Sequence, residues 1–138
     1  MKYSGEVRPW GSFINLADNV KCTTKVMTIM PDQSLSVQYH KKRDQLYYAL
    51  EDGLSVEWGP QLFLNTSPKH KYKKEDLIDM WIECAIVEHT KMGQMFYFPR
   101  GCIHRCFNAT EHPIQFLDIA FGENSEDDII RIDDRYGR

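Results

Sequence analysis

The stretch Gly93–Asn108 (GQMFYFPRGCIHRCFN) restricts this chain more than any other. Met95-Phe96-Tyr97-Phe98 is aromatic and reads as a strand. Pro99-Arg100-Gly101 then supplies a fixed φ followed by a residue free to turn, so the chain reverses. Cys102–Asn108 resumes an extended run. His104 therefore stands near the start of a strand that follows a tight turn. In a small barrel alternate residues face inward, and His104 is then directed at the lumen. Taken alone, such a histidine is most simply structural.

The rest of the chain agrees with a β fold. Val20–Met30 (VKCTTKVMTIM) is rich in β-branched residues and stops at Pro31-Asp32. Leu35–Tyr39 alternates apolar and polar residues. Leu46–Leu50 reads as a buried strand closed by Asp52-Gly53, a hairpin dipeptide. Leu54–Trp58 alternates again and ends at Gly59-Pro60, and Cys84–Val87 and Ile114–Phe121 complete the set. Short strands separated by Gly and Pro turns argue an all-β sandwich or barrel. Tyr47, Tyr48, Phe96, Tyr97, Phe98, Phe116 and Phe121 read as its core. Two segments break the pattern. Lys73–Glu83 (KKEDLIDMWIE) places Leu77, Met80 and Trp81 at helical spacing, so residues 66–83 read as a helical insertion. Ser125 and Asp128 resemble a helix N-terminal cap, which predicts a short helical turn leading into Ile129-Ile130.

The chain has 138 residues, the size of one domain, and no linker or repeat divides it. Seventeen basic and 20 acidic residues give a net charge of −3. That surface offers no electrostatic case for nucleic acid or an anionic membrane. The longest apolar runs fall far short of the roughly 20 residues of a membrane span. Met1–Glu6 lacks an apolar signal core, and Cys22, Cys84, Cys102 and Cys106 read as reduced thiols of a cytoplasmic protein. Cys102-x-His104-x-Cys106 places three metal-capable groups on one strand face, but it lacks the second half of a structural zinc site, and packed thiols are the simpler reading. His70, His89, His112 and the basic run Lys69–Lys74 read as solvated surface. Trp10 reads as a packed anchor.

The spacing Gly93-x5-Pro99-x-Gly101-x2-His104-x3-Asn108 matches the second motif of the cupins at every position. Upstream, Leu35-Ser36-Val37-Gln38-Tyr39-His40 with Arg43 resembles the L-S-L-Q-x-H run of type II mannose-6-phosphate isomerases. That domain also closes mannose-1-phosphate guanylyltransferases. Arg8-Pro9-Trp10-Gly11-Ser12-Phe13 resembles the family's opening. Gly122-Glu123, Glu126-Asp127-Asp128-Ile129, Arg131, Asp134 and Tyr136-Gly137-Arg138 are similar to its close. The resemblance lapses across Leu54–Met92. It implies a single cupin domain over residues 1–138: a jelly-roll β-barrel with a short helical insertion and a short C-terminal helical turn.

The resemblance also implies a chemistry, the interconversion of mannose-6-phosphate and fructose-6-phosphate through an enediol. That reaction needs a base, an electrophile and a phosphate anchor. A divalent metal, zinc or similar, would polarise the carbonyl. Its ligand positions fall on Gln38, His40, Gln45 and His104. Gln45 stands where the family has glutamate, so this set has no anion. Lys41-Lys42-Arg43 replaces a histidine-rich run. Lys42, His104 and Arg131 are the candidates for catalysis, and Arg43, Tyr48 and Arg100 for substrate contact. Lys42, if it points inward, repels a metal and attracts a phosphate. Two other readings stand beside the isomerase: a non-catalytic cupin that binds a sugar or sugar phosphate, and a cupin isomerase or epimerase acting on another carbohydrate. The expected partners are a small sugar phosphate and, through an open sheet edge, a second copy in a homodimer.

Overall fold

The computed structural model describes residues 4–64 and 72–137. Among the described residues, eleven strands and one α-helix follow the order set by the turns. β3 (Thr23–Ile29), β10 (Ile114–Gly122), β5 (Arg43–Ala49) and β8 (Met95–Phe98) form one antiparallel sheet in that spatial order. β11 (Ile130–Asp133), β4 (Val37–Tyr39), β9 (Cys102–Asn108), β6 (Leu54–Gln61) and β7 (Ile86–His89) form the second. Among the described residues, β1 (Ser4–Arg8) and β2 (Gly11–Asn15) pair only with each other. This is the expected all-β cupin architecture, but its two main sheets are separate and not hydrogen-bonded into one closed barrel.

Alternation along the strands builds the core between the sheets. Tyr47, Phe96, Phe98, Ile114 and Phe116 from the first sheet meet Leu54, Val56, Cys102 and Cys106 from the second. The outer face of the second sheet carries Val37, Tyr39, Ile103 and Ile132. It is covered by α1 (Lys74–Cys84) through Leu77, with Met80 and Trp81 beside it. The stripe read from the sequence is thus the face the helix buries. The first part of the expected insertion, with Lys69, His70 and Lys71, lies outside the described residues.

Three expectations change. Tyr48 and Tyr97 are half-buried on the outer face of the first sheet and not in the core between the sheets, because strand alternation gives the inner places to Tyr47, Phe96 and Phe98. Trp10 is 73% exposed and stacks on Phe13 at the tip of the β1–β2 hairpin, not in a core. Among the described residues that hairpin has both strands at the surface, so its indole has nothing to bury against. Ser125 makes no side-chain capping bond: Glu126–Asp128 is one turn of 3-10 helix, and Asp128 turns inward to serve another segment. The chain then enters β11, which pairs with β4 and lays the closing segment back on the second sheet.

Candidate functional site

The Pro-x-Gly turn positions the site. Gly101 has φ +84°, and a side chain there would meet the Leu62 carbonyl oxygen at 2.6 Å, so only glycine fits. Its N–H donates to the His40 carbonyl at 2.8 Å, and the Cys102 N–H closes the turn on Pro99 at 3.0 Å. β9 then alternates, with Cys102, His104, Cys106 and Asn108 inward. His104 stands opposite Gln38 on β4 and Trp58 on β6. His40 follows β4, and Gln45 faces it from β5.

These side chains form one closed group. The Gln45 carboxamide lies between the rings, with Oε1 2.8 Å from His40 Nε2 and 2.8 Å from His104 Nε2. The rings' other nitrogens meet backbone carbonyls: His40 Nδ1 donates to Asp128 at 3.1 Å and His104 Nδ1 to Cys102 at 2.9 Å. Behind the amide lies Asp118, with carboxylate oxygens 3.2 and 3.4 Å from Gln45 Nε2. His104 stacks on Phe98, centroids 4.5 Å apart, and Tyr47 meets its edge. His40, Gln45 and His104 are 3%, 2% and 1% exposed.

Burial governs the charges. Desolvation lowers His104 to about 3, helped by His40 and Arg43. It lowers His40 as well, with Arg43 adding to the effect. Desolvation raises the Asp118 carboxyl to about 6. Both rings are therefore neutral near pH 7.

The remaining candidates divide. Arg43 is buried, and its Nη1 donates to Asn124 Oδ1 at 2.8 Å and to the Ser125 carbonyl at 3.1 Å. Arg131 stands opposite Gln38 and donates to Glu126 at 2.6 Å. Lys42 does not point inward: its Nζ is at the surface, 3.3 Å from Glu123. Tyr48 lies on the outer face of β5, in register with Met95 and Leu117, because alternation gives the inner face to Gln45 and Tyr47. Arg100 is half-exposed beside Asp44, which shares that outer face. The Gln38 amide oxygen accepts from Ser36 at 2.8 Å.

Two residues of the site are not evident as such in the sequence: Tyr47 reads there only as core, and Asp128 only as a helix cap. Tyr47 took the lumen position beside its neighbour Tyr48, and only the strand phase separates them. Asp128, buried, accepts from the Lys41 N–H at 3.0 Å and the Lys42 N–H at 3.0 and 3.1 Å, while its carbonyl fixes His40. Its place in an acidic run disguised that role. Cys102 and Cys106 are packed thiols, as expected. A separate groove of about 600 Å³ lies on the outer face between Asp32–Leu35, Arg105, Phe107 and Arg135, and shares no residue with the histidine group.

The donor set does not fit a divalent metal. It contains no anion, and its two imidazole nitrogens are already joined by the amide. Among the described residues no group of three or more His, Cys, Asp or Glu is placed to hold one.

The model of a known family, "Mannose-6-phosphate isomerase C-terminal", matches residues 2–83. The chain belongs to that family. The xanthan biosynthesis protein XanB of Xanthomonas campestris is 26% identical over 132 residues, covering 95% of this chain and 23% of that protein. The mannose-1-phosphate guanylyltransferase ManC of Salmonella typhimurium is 26% identical, covering 95% of this chain and 22% of its own length. The chain thus spans less than a quarter of these relatives. A Klebsiella pneumoniae protein with a double-stranded β-helix domain superposes with a TM-score of 0.54 at 15% identity, over 84% of this chain and 78% of the other. That likeness supports the fold. No helix among the described residues is long and apolar enough to cross a membrane.

Proposed function

We propose that this member of the family binds a sugar phosphate through Arg43 without isomerising it. One observation carries the reading. Arg43 is 5% exposed and belongs to none of the ion pairs among the described residues, although its charge acts at longer range on the buried Asp118 carboxyl. Its two hydrogen bonds go to neutral oxygens, and its buried Nε has no partner. A buried arginine is ordinarily paired, because desolvating an isolated cation is costly. A phosphate monoester would supply the missing charge, and guanidinium suits its geometry. The buried Arg131 Nε is likewise without a partner.

Isomerisation needs an acid–base pair and an electrophile as well as an anchor. The nitrogens of His40 and His104 that could move a proton are committed to Gln45, and Lys42 is outside. The chain offers the anchor alone.

The test is calorimetric titration with mannose-6-phosphate, fructose-6-phosphate and mannose. A parallel assay detects fructose-6-phosphate formed from mannose-6-phosphate with added Zn²⁺, Mn²⁺ or Co²⁺. We expect both phosphates to bind, mannose to bind at least tenfold more weakly, and no conversion. Arg43→Gln should weaken phosphate binding tenfold or more. Conversion at any of the metals would restore the isomerase reading. Failure of both phosphates to bind would remove the ligand class.

A further inference from the structure

The hydrogen inventory of the histidine group determines which way the Gln45 amide faces. A carbonyl oxygen can only accept, so His40 Nδ1 and His104 Nδ1 both carry hydrogens, held by Asp128 and Cys102. In a neutral ring the other nitrogen is then a bare lone pair. Both lone pairs converge on one atom of the Gln45 amide at 2.8 Å. An oxygen there would set three acceptors against one another in a site only 1–3% exposed. An amide nitrogen carries two hydrogens, one for each ring. A half-turn of the carboxamide exchanges its oxygen and nitrogen without changing its shape, and hydrogen-bond complementarity decides between the two. The lowered basicity of both rings agrees with the neutral state this requires.

We infer that Gln45 NH₂ donates one hydrogen to each of His40 Nε2 and His104 Nε2, so that the amide itself occupies the point where two imidazoles would grip a metal. The group is a closed structural lock, and divalent cations do not enter it. Turned this way, the amide oxygen faces the Asp118 carboxyl at the 3.2–3.4 Å now held by the nitrogen, so this orientation requires Asp118 to carry a proton and donate it to that oxygen. A carboxylate at residue 45 carries no hydrogens to give. The same two lone pairs would then lack donors, and a cation would satisfy both them and the negative charge. The lock concerns the histidines, while the anion reading concerns Arg43, so either can fail alone.

Two measurements on the wild-type protein test this. Long-range ¹H–¹⁵N correlation of the histidine rings should show both neutral, with hydrogen on Nδ1, and should show Gln45 NH₂ hydrogens slow to exchange. Dialysis against Co²⁺ followed by elemental analysis should find well below one equivalent, with no visible d–d absorption. Gln45→Glu should bind one equivalent of Co²⁺, at least tenfold more tightly than wild type. A stoichiometric metal in the wild type, or hydrogen on Nε2 of either neutral ring, would overturn the inference. A folded Gln45→Glu protein that binds no more tightly than wild type would equally overturn it. If that variant does not fold, the wild-type tautomers and metal content decide alone.

Discussion

Asp128→Ala should be the most damaging single change outside the apolar core. The Asp128 carboxylate accepts from two backbone N–H groups, those of Lys41 and Lys42, at 3.0–3.1 Å and is 3% exposed. A hydrogen bond to a charged partner contributes about 1.5–3 kcal/mol, which bounds the loss at roughly 3–6 kcal/mol for two donors. Lys41 and Lys42 are themselves exposed, so water can reach their amides once the carboxylate is gone. The lower figure, about 3 kcal/mol, is therefore expected. For a domain of this size that lowers Tm by about 10 °C. Asp128→Asn retains one acceptor oxygen for both amides and should cost only about 1 kcal/mol. Urea denaturation followed by tryptophan fluorescence reads both values, and m should not change. The Asp128 carbonyl also orients His40, so the alanine variant should broaden the His40 ring signals while leaving those of His104 sharp. A loss of less than 0.5 kcal/mol for Asp128→Ala would mean that the carboxylate does not clasp the 41–42 turn, and the reasoning would fail.

The pH dependence should contain two opposed contributions. His104 falls from its ordinary 6.5 to about 3, so the unfolded state binds the proton more readily and stability is lost as pH drops through that window. Asp118 rises from 3.8 to about 6, so its effect runs the other way: stability is gained as pH falls from 6 towards 4. Each amounts to about 1.4 kcal/mol per pH unit where fully expressed. Wild type should therefore vary little between pH 6 and 4. Asp118→Asn should unmask a loss of about 3 kcal/mol there, and a flat urea profile in that variant would contradict the histidine assignment. A thiol reagent should label Cys22 and Cys84 in the native protein, while Cys102 and Cys106 react only on unfolding, because burial pushes Cys102 up to about 11 and raises Cys106 further. Four fast thiols would refute the packed core. Leu77→Ala should cost about 2–4 kcal/mol, since Leu77 is the buried anchor of α1 on the second sheet; unchanged thermal stability would mean that the helix is not docked.

The fold was legible where period and punctuation agreed. Leu54–Trp58, Met95–Phe98 and Ile114–Phe121 were bounded by Gly and Pro and became β6, β8 and β10 with small shifts at their ends. The helix showed in the spacing of Leu77, Met80 and Trp81. β1 and β2 were not visible, because Ser4–Asn15 buries no face and so has no hydrophobic alternation to detect. Trp10 was misassigned for the same reason. A large indole predicts burial only if another element comes to cover it.

The site was legible in its residues and less so in its directions. His40, Gln45 and His104 came from motif spacing, and the structure brings them within hydrogen-bonding distance. Lys42 and Tyr48 failed because each sits one residue from the position that faces in. Along a strand that single step exchanges lumen for exterior, so Tyr47 and Arg43 take the inner places. The chemical character of the site then depends on residue 45. A carboxylate at this point would bring charge and acceptors, which two imidazole lone pairs can share only through a cation. A carboxamide of nearly the same shape brings hydrogens, which satisfy both rings directly. On the proposed orientation the cupin framework is kept without a cation at that point, and Arg43, which has two neutral acceptors and no ion pair among the described residues, is the group left to hold an anion.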